Sequence, residues 1–339
     1  MANYKIINSE WESSELEHIN KCPYCASNSR SIAYQNVQDW SFNSAPGKWT
    51  YWDCLDCKTL YLDPRPKEQY IYKAYANYYT HENAGVNFIS NLKLRLKNEI
   101  IAKKYKIKLY PNLFLPLFLK PILKFLNGII YEPYGISHLF SNPKGKLMDV
   151  GCGGGLVLAI AKQYGWDVAG LEIDAVAVKA ANKKNLNVFE GGYEKLDKYV
   201  DAFDLIYCSH VLEHVYDPKE MLVKIKKSLK SNGRLLLVLP NSQSFLRKMF
   251  GSSWRGIEAP RHIAIPSQVE LIKYLNEIGF DTFPQRDTRS FTKNISRSIA
   301  KNNAIEFRKL NFNLDFIDNY NQDFSFVLCV ARNSLDLCK

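Results

Sequence analysis

The chain has 339 residues, of which 46% are apolar and 23% charged. Those proportions belong to a folded protein and exclude wholesale disorder, and the length suggests roughly two domains at about 150 residues each. Forty-five Lys and Arg stand against 34 Asp and Glu, a net charge of +11 that favours an anionic partner: nucleic acid, a phospholipid surface or a phosphorylated substrate.

The first eighteen residues are polar and carry acids, with no apolar run of the signal-peptide kind. Residues 1–80 are rich in Tyr, Trp and Cys and end in the turn Asp63-Pro64-Arg65-Pro66. Residues 81–140 read as helical, with apolar residues at helical spacing from Asn91 to Tyr105 and Lys and Arg between them. The most apolar stretch, Leu113 to Leu126, is interrupted by Pro116, Lys120, Pro121 and Lys124, and is shorter than the ~20 residues a spanning helix needs. The expected location is the cytoplasm, with the inner membrane face as a peripheral site. Asn142-Pro143-Lys144-Gly145 signals a turn and a domain boundary.

From there short apolar strands alternate with amphipathic helices. Strands are expected at Lys146–Val150, Asp167–Leu171, Phe203–Cys208, Arg234–Leu239 and Phe324–Ala331. Helices are expected from Leu156, near Asp174–Lys184, near Pro218–Leu229 and at Gln268–Ile278. This alternation predicts an α/β fold, a parallel doubly wound Rossmann-like sheet with helices on both faces. The expected organisation is a zinc-ribbon-like domain over 1–80, a basic and apolar helical segment over 81–140, and an α/β domain over 141–339 with a substrate loop at about 241–266.

Two Cys-x-x-Cys pairs, Cys22 with Cys25 and Cys54 with Cys57, are separated by 28 residues. Paired knuckles at such a distance read as a four-thiolate zinc site, closed and structural because no ligand position is left open. Coincidental cysteines or a redox pair are the other readings. Cys152, Cys208, Cys329 and Cys338 are scattered, which does not suggest a secreted disulfide framework.

The strongest motif is Leu147-Met148-Asp149-Val150-Gly151-Cys152-Gly153-Gly154-Gly155, which follows a strand and opens a helix. Its glycines allow a tight turn and close approach of a ligand to the backbone. Asp149 would repel a pyrophosphate but welcome the ammonium and sulfonium of S-adenosylmethionine. Glu172 lies 21 residues after Gly151, near the ~20 expected for the acid that takes ribose hydroxyls.

On these residues the chain resembles a class I S-adenosylmethionine-dependent methyltransferase over about 145–335. Further motifs carry the likeness: Phe203-Asp204-Leu205-Ile206, Val211-Leu212-Glu213-His214-Val215 with Asp217-Pro218, Leu239-Pro240-Asn241, and Trp254 with Pro260-Arg261-His262. The likeness is to a broad bacterial subfamily with small-molecule, glycan and lipid-like substrates. It implies that Asp149, Gly151, Cys152, Gly153 and Gly155 hold the methionine part of the cofactor, and that Glu172 and Ile173 face the ribose. It also implies that Gly192 and Tyr193 lie near the adenine and that Ser209 borders the site. Many relatives have Asp where Gly192 stands. The layout, with an N-terminal four-cysteine zinc module, is similar to that of sugar C-methyltransferases, although the large C-terminal domain usual in those chains is missing.

The fourth strand is followed by Ser209-His210-Val211-Leu212-Glu213-His214. The Asn/Asp-Pro-Pro-aromatic motif of amino-methyltransferases acting on DNA bases is absent, and Cys208 follows Tyr207, not the Pro of a cytosine-methylating nucleophile. A neutral imidazole is a competent base for a hydroxyl or an acidic carbon, so His214 is the first candidate and His210 the second, with Glu213 and His262 nearby in pattern. The alternative is a packing role for the Leu-Glu-His turn. Arg261 is placed to grip a phosphate or carboxylate, with Trp254 beside the substrate, or else to make a surface salt bridge.

Asn91 to Lys124 holds nine Lys and Arg and one acid, Glu99. It fits contact with an anionic membrane surface or a lipid-linked or phosphorylated substrate, or a solvated lid helix. Base stacking is not signalled there, so nucleic acid is the lesser expectation. The expected activity is methyl transfer to a saccharide or saccharide-linked metabolite in envelope glycan synthesis. The alternatives are an RNA methyltransferase that grips RNA with ribbon and basic helix, or one acting on a lipid- or quinone-like acceptor.

Overall fold

The computed structural model describes residues 11–42, 44–75, 139, 144–285 and 324–332. The segment expected over 81–140, Leu139 apart, lies outside them. No helix among the described residues is long and apolar enough to cross a membrane.

The N-terminal part contains β1 (Leu16–Glu17), β2 (Arg30–Val37), β3 (Trp49–Cys54), β4 (Leu60–Leu62) and β5 (Arg65–Pro66), followed by a 3-10 segment, Glu68–Tyr75. The remainder runs β6 (Lys146–Val150), α1 (Leu156–Gln163), β7 (Asp167–Glu172), α2 (Ala175–Asn182), β8 (Val188–Glu190), β9 (Phe203–Ser209), α3 (Pro218–Ser228), β10 (Leu229–Pro240), α4 (Phe245–Phe250), β11 (Ala264–Ile265), α5 (Gln268–Glu277), β12 (Phe280–Gln285) and β13 (Phe324–Ala331).

Seven strands form one sheet in the order β12-β13-β10-β9-β6-β7-β8. The five strands from β10 to β8 are parallel. β13 lies antiparallel between β10 and β12, so the sheet is mixed at one end and not wholly parallel as the alternation predicts. β12 escapes the sequence pattern because Pro284 interrupts it; it is an edge strand, where a sheet tolerates a residue with no N–H.

Period-two alternation divides the core between the two faces. Leu205 and Tyr207 of β9 join Leu147, Leu236 and Val238 against α1 and α2. Ile206 and Cys208 join Met148, Val150, Leu235 and Leu237 against α3 and α5. The helices begin where local chemistry directs. Asp217 caps α3 by accepting from Glu220 N at 2.8 Å, with Pro218 in its first turn and Lys226 and Lys227 in its last. Ser267 caps α5 through Glu270 N.

The second sheet has the order β11-β4-β3-β2. Its outer strand, β11, comes from the loop after β10, so the N-terminal module does not close upon itself. Leu60 and Leu62 share a core with Trp254, Ile257, Ile263 and Ile265. The expected substrate loop is thus a structural part of this sheet.

Candidate functional site

A cleft of about 1060 Å3 opens over the carboxyl ends of β6, β7, β8 and β9. Ligands of open α/β sheets bind at such ends where the strand order reverses, and here the chain proceeds from β6 to β7 on one side and returns to β9 on the other. Gly151, Gly153, Glu172, Ile173, Gly192 and Tyr193 line it, as do His210 and His214. Tyr72 and Tyr75 of the N-terminal module also line it, and no sequence motif points to them.

The glycine loop shows what its residues are for. Gly151 turns at φ +74°, and a Cβ there would stand 2.3 Å from Val211 Cγ2. Gly155 is left-handed too, at φ +76°, but its missing side chain makes room for Leu186, and it does not line the cleft. Glu172 Oε2 accepts from Gly153 N at 2.7 Å and Oε1 from Asp174 N at 3.0 Å, which ties the loop to the end of β7. A carboxylate has about four acceptor sites, so hydroxyl groups can still be received. Asp149 is buried beneath the loop; burial and the neighbouring Glu172 push its carboxyl up to about 8. Two acids so close fit a ligand that brings positive charge and no phosphate. These residues fit S-adenosylmethionine. Cys152 is buried outside the cleft, its thiol raised by burial and by Asp149, and Ser209 is half-buried without lining it.

A second cluster follows β9. His210 has φ +58°, a left-handed conformation rare for a residue with a side chain. Its Nδ1–H donates to Glu213 Oε1 at 3.1 Å. Glu213 is fully buried, and its Oε2 has no hydrogen-bond partner among the described residues. Burial disfavours the charge on Glu213 and is the largest single influence, but the His210 hydrogen bond and the attraction of His210, His214 and His262 together hold the carboxyl below its ordinary value. Since Nδ1 carries the hydrogen, the lone pair of His210 is on Nε2.

His214 belongs to a 3-10 turn, Leu212–His214, not to a longer helix face shared with His210. Its Nδ1 is 3.1 Å from Arg261 O and 3.0 Å from Tyr75 Oη. A carbonyl can only accept, so this nitrogen carries the hydrogen. Burial lowers the affinity of His214 for a second proton. His262 packs edge-on against it, with ring centroids 4.5 Å apart. Burial and then His214 push the His262 imidazole down to about 4, and its Nδ1–H donates to Gly256 O at 2.7 Å. Ligand atoms of Glu213, His214 and His262 lie within 4.8 Å of one another. His262 is buried and does not border the cleft.

Arg261 and Trp254 correct the sequence expectation. Both are fully buried and neither lines the cleft. Arg261 Nη2 pairs with Asp39 Oδ1 at 2.7 Å, while Nη1 donates to Ser44 Oγ at 3.0 Å and Ala74 O at 2.9 Å. It is neither a phosphate grip nor a surface salt bridge. Trp254 fills the core shared by the module and the loop. The sequence suggests a substrate role for both because their loop follows the last central strand; the partner Asp39, 222 residues away, carries no sequence signal.

The sulfurs of Cys22, Cys25, Cys54 and Cys57 lie within 4.8 Å of one another. Each pair forms the same turn: Ala26 N donates to Cys22 O and Lys58 N to Cys54 O, and Ala26 and Lys58 have φ of 60° and 61°. Burial and thiol neighbours push Cys25 up to about 11, and contact with Cys22 together with burial raises Cys57 further. Such a donor set suits a thiophilic cation that takes the place of the protons.

The cleft and its strands coincide with recognisable sequence. A family described as "Methyltransferase domain" matches residues 133–285. An uncharacterized protein of Methanocaldococcus jannaschii is 27% identical over 183 residues, covering 54% of this chain and 84% of that protein. The mitochondrial ubiquinone biosynthesis O-methyltransferase of Schizosaccharomyces pombe is 33% identical over 100 residues, covering 27% of this chain and 36% of its own length. The Erwinia tasmaniensis ubiquinone biosynthesis O-methyltransferase is 29% identical over 121 residues, 32% of this chain and 49% of its own. The chain thus spans about a third to a half of the ubiquinone enzymes it matches. A crystal structure of a SAM-dependent methyltransferase from Archaeoglobus fulgidus aligns with TM-score 0.43 and 19% identity, over 62% of this chain and 99% of that one. The matched segment contains the glycine loop, Glu172 and the turn after β9, so residues 133–285 of this chain carry a methyltransferase domain on a Rossmann-like sheet.

Proposed function

We propose that the chain methylates a hydroxyl oxygen of a ring-bearing small molecule, with His210 as the base and Glu213 behind it. The observation that carries this reading is the His210–Glu213 pair: a strained imidazole at the carboxyl end of β9, lining the cleft, with a buried carboxylate on its far nitrogen. Backbone strain of this kind collects at functional sites. S-adenosylmethionine, when bound, supplies the electrophilic methyl. The chain would hold both reactants in line, and His210 Nε2 takes the hydroxyl proton as the carbon–oxygen bond forms and the methyl carbon–sulfur bond breaks, its electron pair going to the departing thioether S-adenosylhomocysteine. Glu213 then stabilises the imidazolium. His214, whose proton affinity is lowered, orients the acceptor together with Tyr75.

The acceptor side of the cleft carries Tyr72, Tyr75 and Tyr216 with Glu68 and Gln69. Flat phenolic walls suit a planar ring, and the relatives named as ubiquinone O-methyltransferases support a quinone-like phenol. A saccharide hydroxyl is the second reading, favoured by the mixture of aromatic faces with the polar Glu68 and Gln69. Membrane, lipid-linked and RNA contacts are expected from residues 91–124, which lie outside the described residues. The four cysteines we assign to one structural zinc ion.

The test is label transfer from methyl-labelled S-adenosylmethionine to three acceptor sets: catechols, methyl glycosides and total RNA. Label on a catechol oxygen is expected, and His210→Gln should lower it about 10²–10⁴-fold with S-adenosylhomocysteine affinity unchanged. Label only in RNA, or full transfer by His210→Gln, overturns the reading.

A further inference from the structure

We infer that Asp39, in the N-terminal module, is a positioning residue for methyl transfer: through its buried pair with Arg261 it fixes Tyr75 and His214 at the acceptor side of the cleft. This rests on the reading that those two side chains face the acceptor.

Arg261 is the junction. Its guanidinium is fully buried, held by Asp39 Oδ1 on one side and stacked over the Phe42 ring, 5.1 Å from its centroid. Its Nη1 donates to the carbonyl of Ala74, the residue before Tyr75. Its own carbonyl accepts from His214 Nδ1. One residue therefore holds the backbone beside Tyr75 with its side chain and sets the tautomer of His214 with its main chain. Tyr75 Oη closes the figure, 3.0 Å from the same His214 nitrogen.

Asp39 is built to hold that junction. It is almost fully buried. Oδ2 accepts from Ser44 N at 2.9 Å, from Ser44 Oγ and from Ala45 N, both at 3.1 Å, and Oδ1 also accepts from Phe42 N at 3.2 Å. The carboxylate is thus fixed from its own loop and offers Arg261 one defined geometry. Burial alone would raise the Asp39 carboxyl, yet Arg261 holds it below its ordinary value, so the charge persists at neutral pH. Removing that charge takes away the nearer counter-ion of the buried Arg261 and leaves the more distant Glu258, whose Oε2 is 3.8 Å from Nε. The guanidinium must then shift, and the Ala74 and His214 contacts shift with it.

Histidine tautomers are read directly by 15N NMR, with no need for an acceptor. In protein labelled with 15N-histidine, with the His214 signal assigned through His214→Gln, wild type is expected to show a single Nδ1–H tautomer near neutral pH. Asp39→Asn should replace it by a mixture, with S-adenosylhomocysteine affinity nearly unchanged because Glu172 and the glycine loop are not touched. Asp53→Asn is the control. It breaks a separate, half-buried link between module and domain, Arg247 Nη2 to Asp53 Oδ2 at 2.7 Å, and should leave the tautomer single. Ser44→Ala is the milder variant should Asp39→Asn not fold; it removes a partner of both Asp39 and Arg261 and should also produce the mixture. A single unchanged tautomer in folded Asp39→Asn or in Ser44→Ala, or the same mixture in Asp53→Asn, overturns the inference. Failure of His210→Gln to lower transfer would leave this NMR result standing, so the two ideas can fail separately.

Discussion

The cofactor site makes a quantitative claim through Asp149. Burial and Glu172 raise its carboxyl to about 8, so at pH 6 the free protein holds it almost entirely protonated. The α-ammonium group that S-adenosylmethionine and S-adenosylhomocysteine share favours the ionised form of Asp149 when it lies beside it. If the complex keeps Asp149 ionised, affinity should rise about 50-fold between pH 6 and pH 8, equivalent to about 2.3 kcal/mol, from one-proton linkage. Above pH 8 the rise should flatten. Calorimetric titration with S-adenosylhomocysteine reads this directly, and in buffers of different ionisation enthalpy it should show close to one proton released at pH 7. Asp149→Asn should bind weakly with little pH dependence, and should approach wild type near pH 6, where the wild-type group is neutral. A flat wild-type profile, or tighter binding at low pH, refutes the role given to Asp149. The stability sign is opposite. The folded pKa lies above the unfolded value, so the folded state binds the extra proton between about pH 4 and pH 8. The Asp149 contribution to stability therefore declines as pH rises through that window, and bound cofactor restores it.

Two further predictions concern separate parts of the molecule. Glu172→Gln should weaken S-adenosylhomocysteine binding by about 1.5–3 kcal/mol, the value of charge-assisted hydrogen bonds, and unchanged affinity by the same titration would remove Glu172 from the site. One zinc per chain should co-purify, and Cys25→Ser should lower the melting temperature while S-adenosylhomocysteine still binds; metal analysis without zinc, on protein never exposed to chelator, refutes the assignment.

What the sequence discloses and what it hides follow from distance along the chain. The glycine loop and Glu172 are legible because one βαβ unit holds both, and the spacing between them is a property of that unit. The two cysteine knuckles are legible because each is a local turn with its own hydrogen bonds. Asp39, Tyr72 and Tyr75 carry no such local mark. Their roles arise only when the N-terminal module packs on the turn after β9 and the loop after β10. Arg261 shows the limit most sharply: its neighbours in sequence suggest a substrate loop, and only the fold reveals that the loop is walled in. β12 is hidden for another reason, since Pro284 is compatible with a strand only once the edge position is known.

The site divides by origin. In the proposed reading the cofactor half of the cleft is formed by the α/β sheet and its own turns, from Gly151 to Tyr193, above the buried Asp149. The acceptor side draws on the turn after β9, on the 3-10 segment Glu68–Tyr75, and on the backbone around Arg261. These three pieces meet because β11 is the outer strand of the N-terminal sheet, and Tyr51 Oη donates to His262 O at 2.8 Å within the same contact. The zinc knuckles are tied to the same loop: Ser267 Oγ donates to Cys57 O and Ser242 Oγ to Lys58 O. A metal that holds the knuckles closed therefore also holds both ends of the loop that presents Arg261. The ribbon needs no contact with either reactant to matter for methyl transfer. If Asp39 and Arg261 act as inferred, the ribbon fixes the loop and through it the tautomer of His214, while the cofactor half of the cleft is built without it.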